Sequence, residues 1–184
     1  MIAPGNQYIA VLDTCVLAPV PLCDTLLRLA EDPAFYIPKW SDDILRELRS
    51  TLLRMGYTPA QADRRITAME NAFEDANVSD YGSLSVSMTN DHKDRHVLAA
   101  AVRCGAHAII TDNLRHFPPA SVRPYDVDVL TPDAFLVHQF HLNRELLVEK
   151  LTAQAAARGV ALKSLLERLQ GRAPNCIKLL RQCI

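Results

Sequence analysis

Two short apolar runs, Ile9-Ala10-Val11-Leu12 and Ala108-Ile109-Ile110, lead into aspartates, Asp13 directly and Asp112 one threonine later. Between them, Asp91-His92-Lys93-Asp94 opens an alanine-rich stretch that stops at Gly105. Runs this short and apolar read as buried strands of a parallel sheet, and parallel strands need a crossover, usually a helix, between them. A helix that runs back to feed a parallel strand starts beside that strand's carboxyl end. Asp13, Asp94 and Asp112 are therefore expected to gather on one sheet edge, where open α/β folds place their sites. Carboxylates brought together repel: at an effective dielectric of about 20 and roughly 5 Å, each pair costs about 3 kcal/mol. A divalent cation offsets that repulsion, so the pattern predicts a metal site.

The rest of the chain alternates strand and helix signals. Tyr8–Leu12 reads as the first strand, Asp24–Ala30 as a helix and Phe35–Ile37 as a short strand. Ser41 is placed to cap a helix through Leu53, with Ile44, Leu45, Leu48, Leu52 and Leu53 on its apolar positions. Thr58-Pro59 marks another start, a cap followed by proline at the first helical position, for a helix to about Glu74. Residues 77–90 carry only a strand fragment and a loop. A helix from Asp91 places Asp94 at its third position and ends at Gly105. Ala108–Thr111 and Val127–Leu130 are further strands; Thr131-Pro132 opens a helix to about Phe140. From Arg144 the chain is helical to its end, broken near Gly159 and Pro174. The expected class is α/β, with a mainly parallel sheet of four or five strands and a helical C-terminal part. Residues 1–142 form the main domain and 143–184 an extension.

Composition removes several alternatives. Apolar residues make up 49% and charged residues 22% of 184, an ordinary globular balance. The five cysteines are scattered, with no CxxC pair, which argues against a structural zinc site or a disulfide framework and for a reducing, cytoplasmic setting. Met1-Ile2-Ala3-Pro4-Gly5 lacks the basic and apolar regions of a signal peptide, and no apolar run is long enough to cross a bilayer. No GxGxxG, Walker or GxSxG string is present. Net charge is −1, yet residues 143–184 hold eight Lys/Arg against three Glu, a tail of +5 beside a remainder of −6. That tail reads as solvated helix faces, or as a basic arm for RNA phosphate or an acidic partner.

Singly, each acidic residue has a plain structural explanation. Asp13 at a strand end is a turn former, Asp94 in a first turn suits the helix dipole, and Glu47 between Arg46 and Arg49 is half of a surface pair. His92/His96 and His138/His141 have zinc-compatible spacings without a third ligand nearby. His96, Arg46 and Arg49 can reach phosphate, and Trp40 and Tyr36 can stack on bases, although core packing is the commoner fate of such aromatics.

Taken together and in order, four strings resemble one family. Val11-Leu12-Asp13-Thr14-Cys15-Val16-Leu17 is similar to the opening strand of PIN-domain ribonucleases, and Ser41-Asp42-Asp43-Ile44-Leu45-Arg46-Glu47-Leu48 to their glutamate-bearing helix. Asp91-His92-Lys93-Asp94-Arg95-His96-Val97-Leu98 matches the stretch with their third acid, and Ile110-Thr111-Asp112-Asn113-Leu114-Arg115-His116-Phe117-Pro118 their last strand and turn. The resemblance covers residues 8–137 and is nearest the toxin-type (VapC-like) branch. It implies a three-layer PIN-like sandwich and hydrolysis of RNA phosphodiester bonds with Mg²⁺ or Mn²⁺. It also implies a small antitoxin partner, a homodimer and no membrane association. Asp13, Glu47, Asp94 and Asp112 become the expected catalytic and metal-binding acids. The family's Thr-x-Asp register puts Asn113, not Asp112, at the fourth acid, so both stay candidates. Cys15 stands where Asn or Ser is frequent. A non-catalytic RNA- or protein-binding module on the same scaffold is the alternative.

Overall fold

The computed structural model describes residues 8–183; the reading of Met1–Gly5 lies outside them. Five strands, β1 (Ile9–Leu12), β2 (Ile37–Ser41), β3 (Asn77–Val78), β4 (Ala108–Ile110) and β5 (Asp128–Leu130), form one sheet of order β3-β2-β1-β4-β5. Every pairing is parallel. The expected α/β class with a parallel sheet is what the chain adopts.

The β1 to β3 connections carry α1 (Thr14–Leu17), α2 (Val20–Ala30), α3 (Asp42–Arg54) and α4 (Pro59–Ala72). The path then crosses back through α5 (Gly82–Ser85) and α6 (Arg95–Cys104) to β4, and through α7 (Pro119–Val122) to β5. Because the two halves of the sheet are built in opposite directions from β1, right-handed crossovers put their helices on opposite faces. β1 and β4 flank the point where strand order reverses. The last helices, α8 (Pro132–Leu142), α9 (Arg144–Ala157), α10 (Leu162–Leu169) and α11 (Pro174–Arg181), close the chain. Helices α9 and α10 pack on α2, and α11 on α8.

Local chemistry explains the boundaries. Ser41 Oγ accepts the Ile44 amide at the start of α3, whose Ile44, Leu45, Leu48 and Leu52 are buried. Thr58 and Gln61 exchange side-chain bonds in a capping box with Pro59 at the first helical position. Gly105 ends α6 in the left-handed region at φ 64°. Three boundaries depart from expectation. The second strand is Ile37–Ser41, not Phe35–Ile37, and runs through Pro38. It can do so because the Ile37 amide donates to the carbonyl of Tyr8, just before β1, so the N–H that proline lacks would point to the other side. There β3 pairs only with Trp40 and Ser41. Helix α2 begins at Val20, with Pro21 inside the first turn where amides have no intrahelical partner. Residues His92–Asp94 form a tight 3₁₀ turn and α6 starts at Arg95, so Asp94 precedes the α-helix instead of standing third within it.

The core is one continuous cluster running from Val11 and Leu12 through Leu98 to Leu166 and Ile177. Trp40 and Tyr36 lie wholly inside it. Trp40 meets Phe73 edge-on, and Tyr36 meets Phe135 of α8 while its hydroxyl donates to the Leu26 carbonyl. Neither aromatic is available to a base. Among the described residues no helix is long and apolar enough to cross a membrane.

Candidate metal centre

The acidic edge forms at the carboxyl ends of β1 and β4. The Asp13 amide donates to the Ile110 carbonyl at 3.1 Å, holding the two strands in register to their last residues. The Asp13 side chain is buried at 2% exposure, and its Oδ2 accepts from Thr111 Oγ1 at 2.6 Å and from Cys15 Sγ at 3.2 Å. The Asn113 amide donates to Thr111 Oγ1 and the Asp112 amide to Cys15 Sγ. One small network thus fixes the carboxylate of β1 against the turn after β4. Burial, then the neighbouring Asp13 charge, pushes the Cys15 thiol up to about 12. The neutral thiol donates to Asp13 Oδ2.

Glu47 arrives on α3. Thr14, immediately after Asp13, shares its hydroxyl hydrogen between the Ile44 carbonyl at 3.1 Å and Glu47 Oε2 at 3.3 Å. His96 Nε2 of α6 stands 3.7 Å from Glu47 Oε1. Burial raises the Glu47 carboxyl above its ordinary value; His96 opposes the rise, and Asp13 and Asp94 add to it. Asp94 is likewise raised, first by burial and then by Asp13, against the hydrogen bond from His116. Glu47 thus feels the charges of Asp13 and Asp94, and Asp94 that of Asp13.

Two placements differ from the simplest reading of the sequence. His116 Nδ1 lies 2.5 Å from Asp94 Oδ2, and Asp91, Asp94 and His116 offer ligand atoms within 4.8 Å of one another. The Asp91 amide donates to the His116 carbonyl at 3.0 Å, stitching the two segments together. Sequence reasoning assigns His116 no role; its one signal there is its nearness to Asp112-Asn113. Asp112 turns to Arg172, whose Nη1 is 2.5 Å from its Oδ2, whereas Asn113 lines the cleft. That cleft, about 490 Å³, is also lined by Glu47, Asp94, His116, Lys93, Arg46 and Arg54. Its lining thus mixes two carboxylates with three basic side chains. Arg49 is occupied elsewhere, bonded through Nε to Asp63 at 2.6 Å. His92 and His96 address different acids, Asp91 and Glu47.

The chemistry of the donor set suits a hard divalent ion. Carboxylate oxygens from Asp13, Glu47 and Asp94, and the amide oxygen of Asn113, are the ligand type that Mg²⁺ and Mn²⁺ prefer. Asp13 is held in place by hydrogen bonds from Thr111 and Cys15.

Comparison with known proteins agrees with this architecture. A PIN domain family model matches residues 10–115. Over 79 residues the chain is 46% identical to the putative ribonuclease VapC50 of Mycobacterium tuberculosis (strain ATCC 25618 / H37Rv), covering 43% of this chain and 47% of that one. The chain thus aligns with about half the length of the curated relative it matches. Two solved structures are more distant: VapBC-1 from nontypeable Haemophilus influenzae (17% identity, TM-score 0.47) and VapBC2 from Rickettsia felis bound to a promoter DNA fragment (16% identity, TM-score 0.45). Each covers 67% of this chain and 98% of its own. With the match spanning β1 to the turn after β4, and the sheet order and acidic edge described above, the chain belongs to the PIN-domain family.

Proposed function

We propose that this protein is a metal-dependent endoribonuclease, the toxin of a toxin–antitoxin pair, acting on RNA in the cytoplasm with a small antitoxin as its partner. A homodimer is the assembly we expect. The observation that carries the reading is that Asp13 and Asp94, from two other segments, lie near enough to Glu47 to raise its carboxyl, while Glu47 and Asp94 line a cleft shared with Lys93, Arg46 and Arg54. Residues 1–142 would be the nuclease body and 143–184 its helical extension.

Asp13, Glu47 and Asp94 would hold Mg²⁺ or Mn²⁺, with Asn113 or Asp112 completing the set. Such an ion, when bound, supplies a water of lowered pKa and charge to offset that developing on the phosphate. The protein's own residues do the rest. Thr111 and Cys15 orient the Asp13 carboxylate, Thr14 steadies Glu47, and His116 aims Asp94. Lys93, Arg46 and Arg54 face the cleft where the phosphate backbone of a single strand would lie.

The test is cleavage of RNA in Mg²⁺ or Mn²⁺ by wild type, Asp13→Asn, Glu47→Gln and Asp94→Asn. Asp13→Asn and Asp94→Asn should lose more than the roughly 10–100-fold that an outer-shell partner is worth. Equal rates in all four proteins would reject the nuclease. Saturable Mn²⁺ binding that is weakened in Asp94→Asn, without any RNA cleavage, would instead favour a binding module on the same scaffold.

A further inference from the structure

The turn after β4 is held from two sides. On the inside, the Asp112 amide bonds Cys15 Sγ at 3.2 Å and the Asn113 amide bonds Thr111 Oγ1 at 3.0 Å. On the outside, Arg172 of the α10–α11 connection places Nη1 2.5 Å from Asp112 Oδ2. Arg172 does not hang from a loose tail. Leu169, Ala173 and Cys176 around it are almost wholly buried. One turn further on, Asp133 of α8 caps the start of α11, its Oδ1 accepting the Asn175 and Cys176 amides at 3.0 Å each and its Oδ2 the Asn175 side chain at 2.6 Å. The segment that carries Arg172 is therefore pinned a few residues either side of it.

We propose that Arg172 is a positioning residue for the candidate metal centre, and that Asp112 serves as its anchor and not as a ligand. An ionised arginine fixed by buried neighbours holds the Asp112 carboxylate outward. The backbone of this turn is then set so that Asn113, the next residue, faces the cleft, and Thr111, the one before, faces Asp13. In this arrangement the C-terminal helices complete the site: without them the turn loses its outer support. The proposal deepens the nuclease reading and rests on it for its catalytic consequence, but its structural half stands alone.

The experiment uses the full chain and five variants: Arg172→Ala, Arg172→Lys, Asp112→Asn, Asp112→Ala and the double variant Arg172→Ala/Asp112→Asn. Amide hydrogen exchange at Asp112 and Asn113 is the first readout, with β1 amides as the internal control. Exchange at both turn amides should rise several-fold in Arg172→Ala and Asp112→Asn, no further in the double variant, and less in Arg172→Lys. Unchanged exchange in the single variants would overturn the proposal. Mn²⁺ titration and cleavage kinetics are the second readout. An anchor pair predicts that Arg172→Ala and Asp112→Asn weaken Mn²⁺ binding to a similar, several-fold extent and lower kcat more than they raise KM, without additivity. A ligand role for Asp112 predicts a different pattern, which would also overturn the proposal: Asp112→Asn abolishes Mn²⁺ binding while Arg172→Ala, by freeing a carboxylate, tightens it. Should Arg172→Ala fail to fold, Arg172→Lys and Asp112→Asn carry the same contrasts. If wild type neither binds Mn²⁺ nor cuts RNA while the exchange result holds, the nuclease reading falls and the coupling of the C-terminal segment to the turn survives.

Discussion

A hydroxyl decides how well the central carboxylate is aimed. Thr111 Oγ1 donates to Asp13 at 2.6 Å and accepts the Asn113 amide at 3.0 Å, so one side chain orients both an acid and the turn. Replacing it with valine keeps the shape and removes both bonds. Thr111→Val should therefore reduce Mn²⁺ affinity or RNA cleavage by roughly 10–100-fold, read by titration and by initial rates. The raised carboxyls give a second prediction at this scale. A carboxyl whose folded pKa lies above its unfolded value opposes folding once ionised, and the opposition fades as pH falls through the folded value. For Glu47 and Asp94 that window begins above their ordinary values of 4.5 and 3.8. In metal-free buffer, Asp94→Asn and Glu47→Gln should thus melt higher than wild type at pH 7. The gain should shrink as pH is lowered through that window, and a lower or equal Tm at pH 7 would count against the burial, and with it the repulsion, that raise these carboxyls. Saturating Mn²⁺ should reverse the order, because the ion stabilises only the protein that binds it well.

Among elements, α6 does the most to assemble the edge. Its buried alanines lie against β1, β2 and β4, and its start delivers Asp94 while its end must turn sharply into β4. Gly105 makes that turn at φ 64°, and a Cβ there would meet nothing within 4 Å. The cost of Gly105→Ala is thus backbone conformation alone, about 1–2 kcal/mol, measurable by urea denaturation. The end of α6 at Gly105, the Thr58-Pro59 start of α4 and the α3 start were all legible in the sequence, because caps, proline at the first position and a terminal glycine are local signals. The course of β2 was not. Whether Pro38 can sit in a strand depends on which neighbour its missing N–H would have faced, and that is settled by partners 28 and 37 residues away. The 3₁₀ turn before α6 was hidden for a similar reason: Asp91 is tied by its backbone to His116.

At the scale of the whole molecule, the C-terminal helices share the core of the sheet. Gln154 is wholly buried, bonding Thr25 Oγ1 at 2.8 Å and the Pro21 carbonyl at 3.0 Å, and Arg158 reaches Asp24. Leu166 and Ile177 belong to the same cluster as Val11 and Leu98. Leu166→Ala should cost about 2–5 kcal/mol and lower one cooperative transition seen alike by near-ultraviolet and far-ultraviolet circular dichroism. Two separated transitions would mean that the last helices fold independently. The basic excess of residues 143–184 follows in part from this packing: Arg158 and Arg172 are spent on Asp24 and Asp112 of the sheet-bearing portion. The sequence alone determined the parallel α/β class and the order of its acidic strings, since both depend on short-range pattern and chain direction. Chain direction also marked Asp13, Asp94 and Asp112 for one sheet edge, and the family resemblance added Glu47. Only the tertiary structure decided that Asp112 turns to Arg172 while Asn113 faces the cleft, and that His116 joins Asp94. Those choices depend on side chains 22 and 60 positions apart meeting in space, and no periodicity or local propensity encodes them.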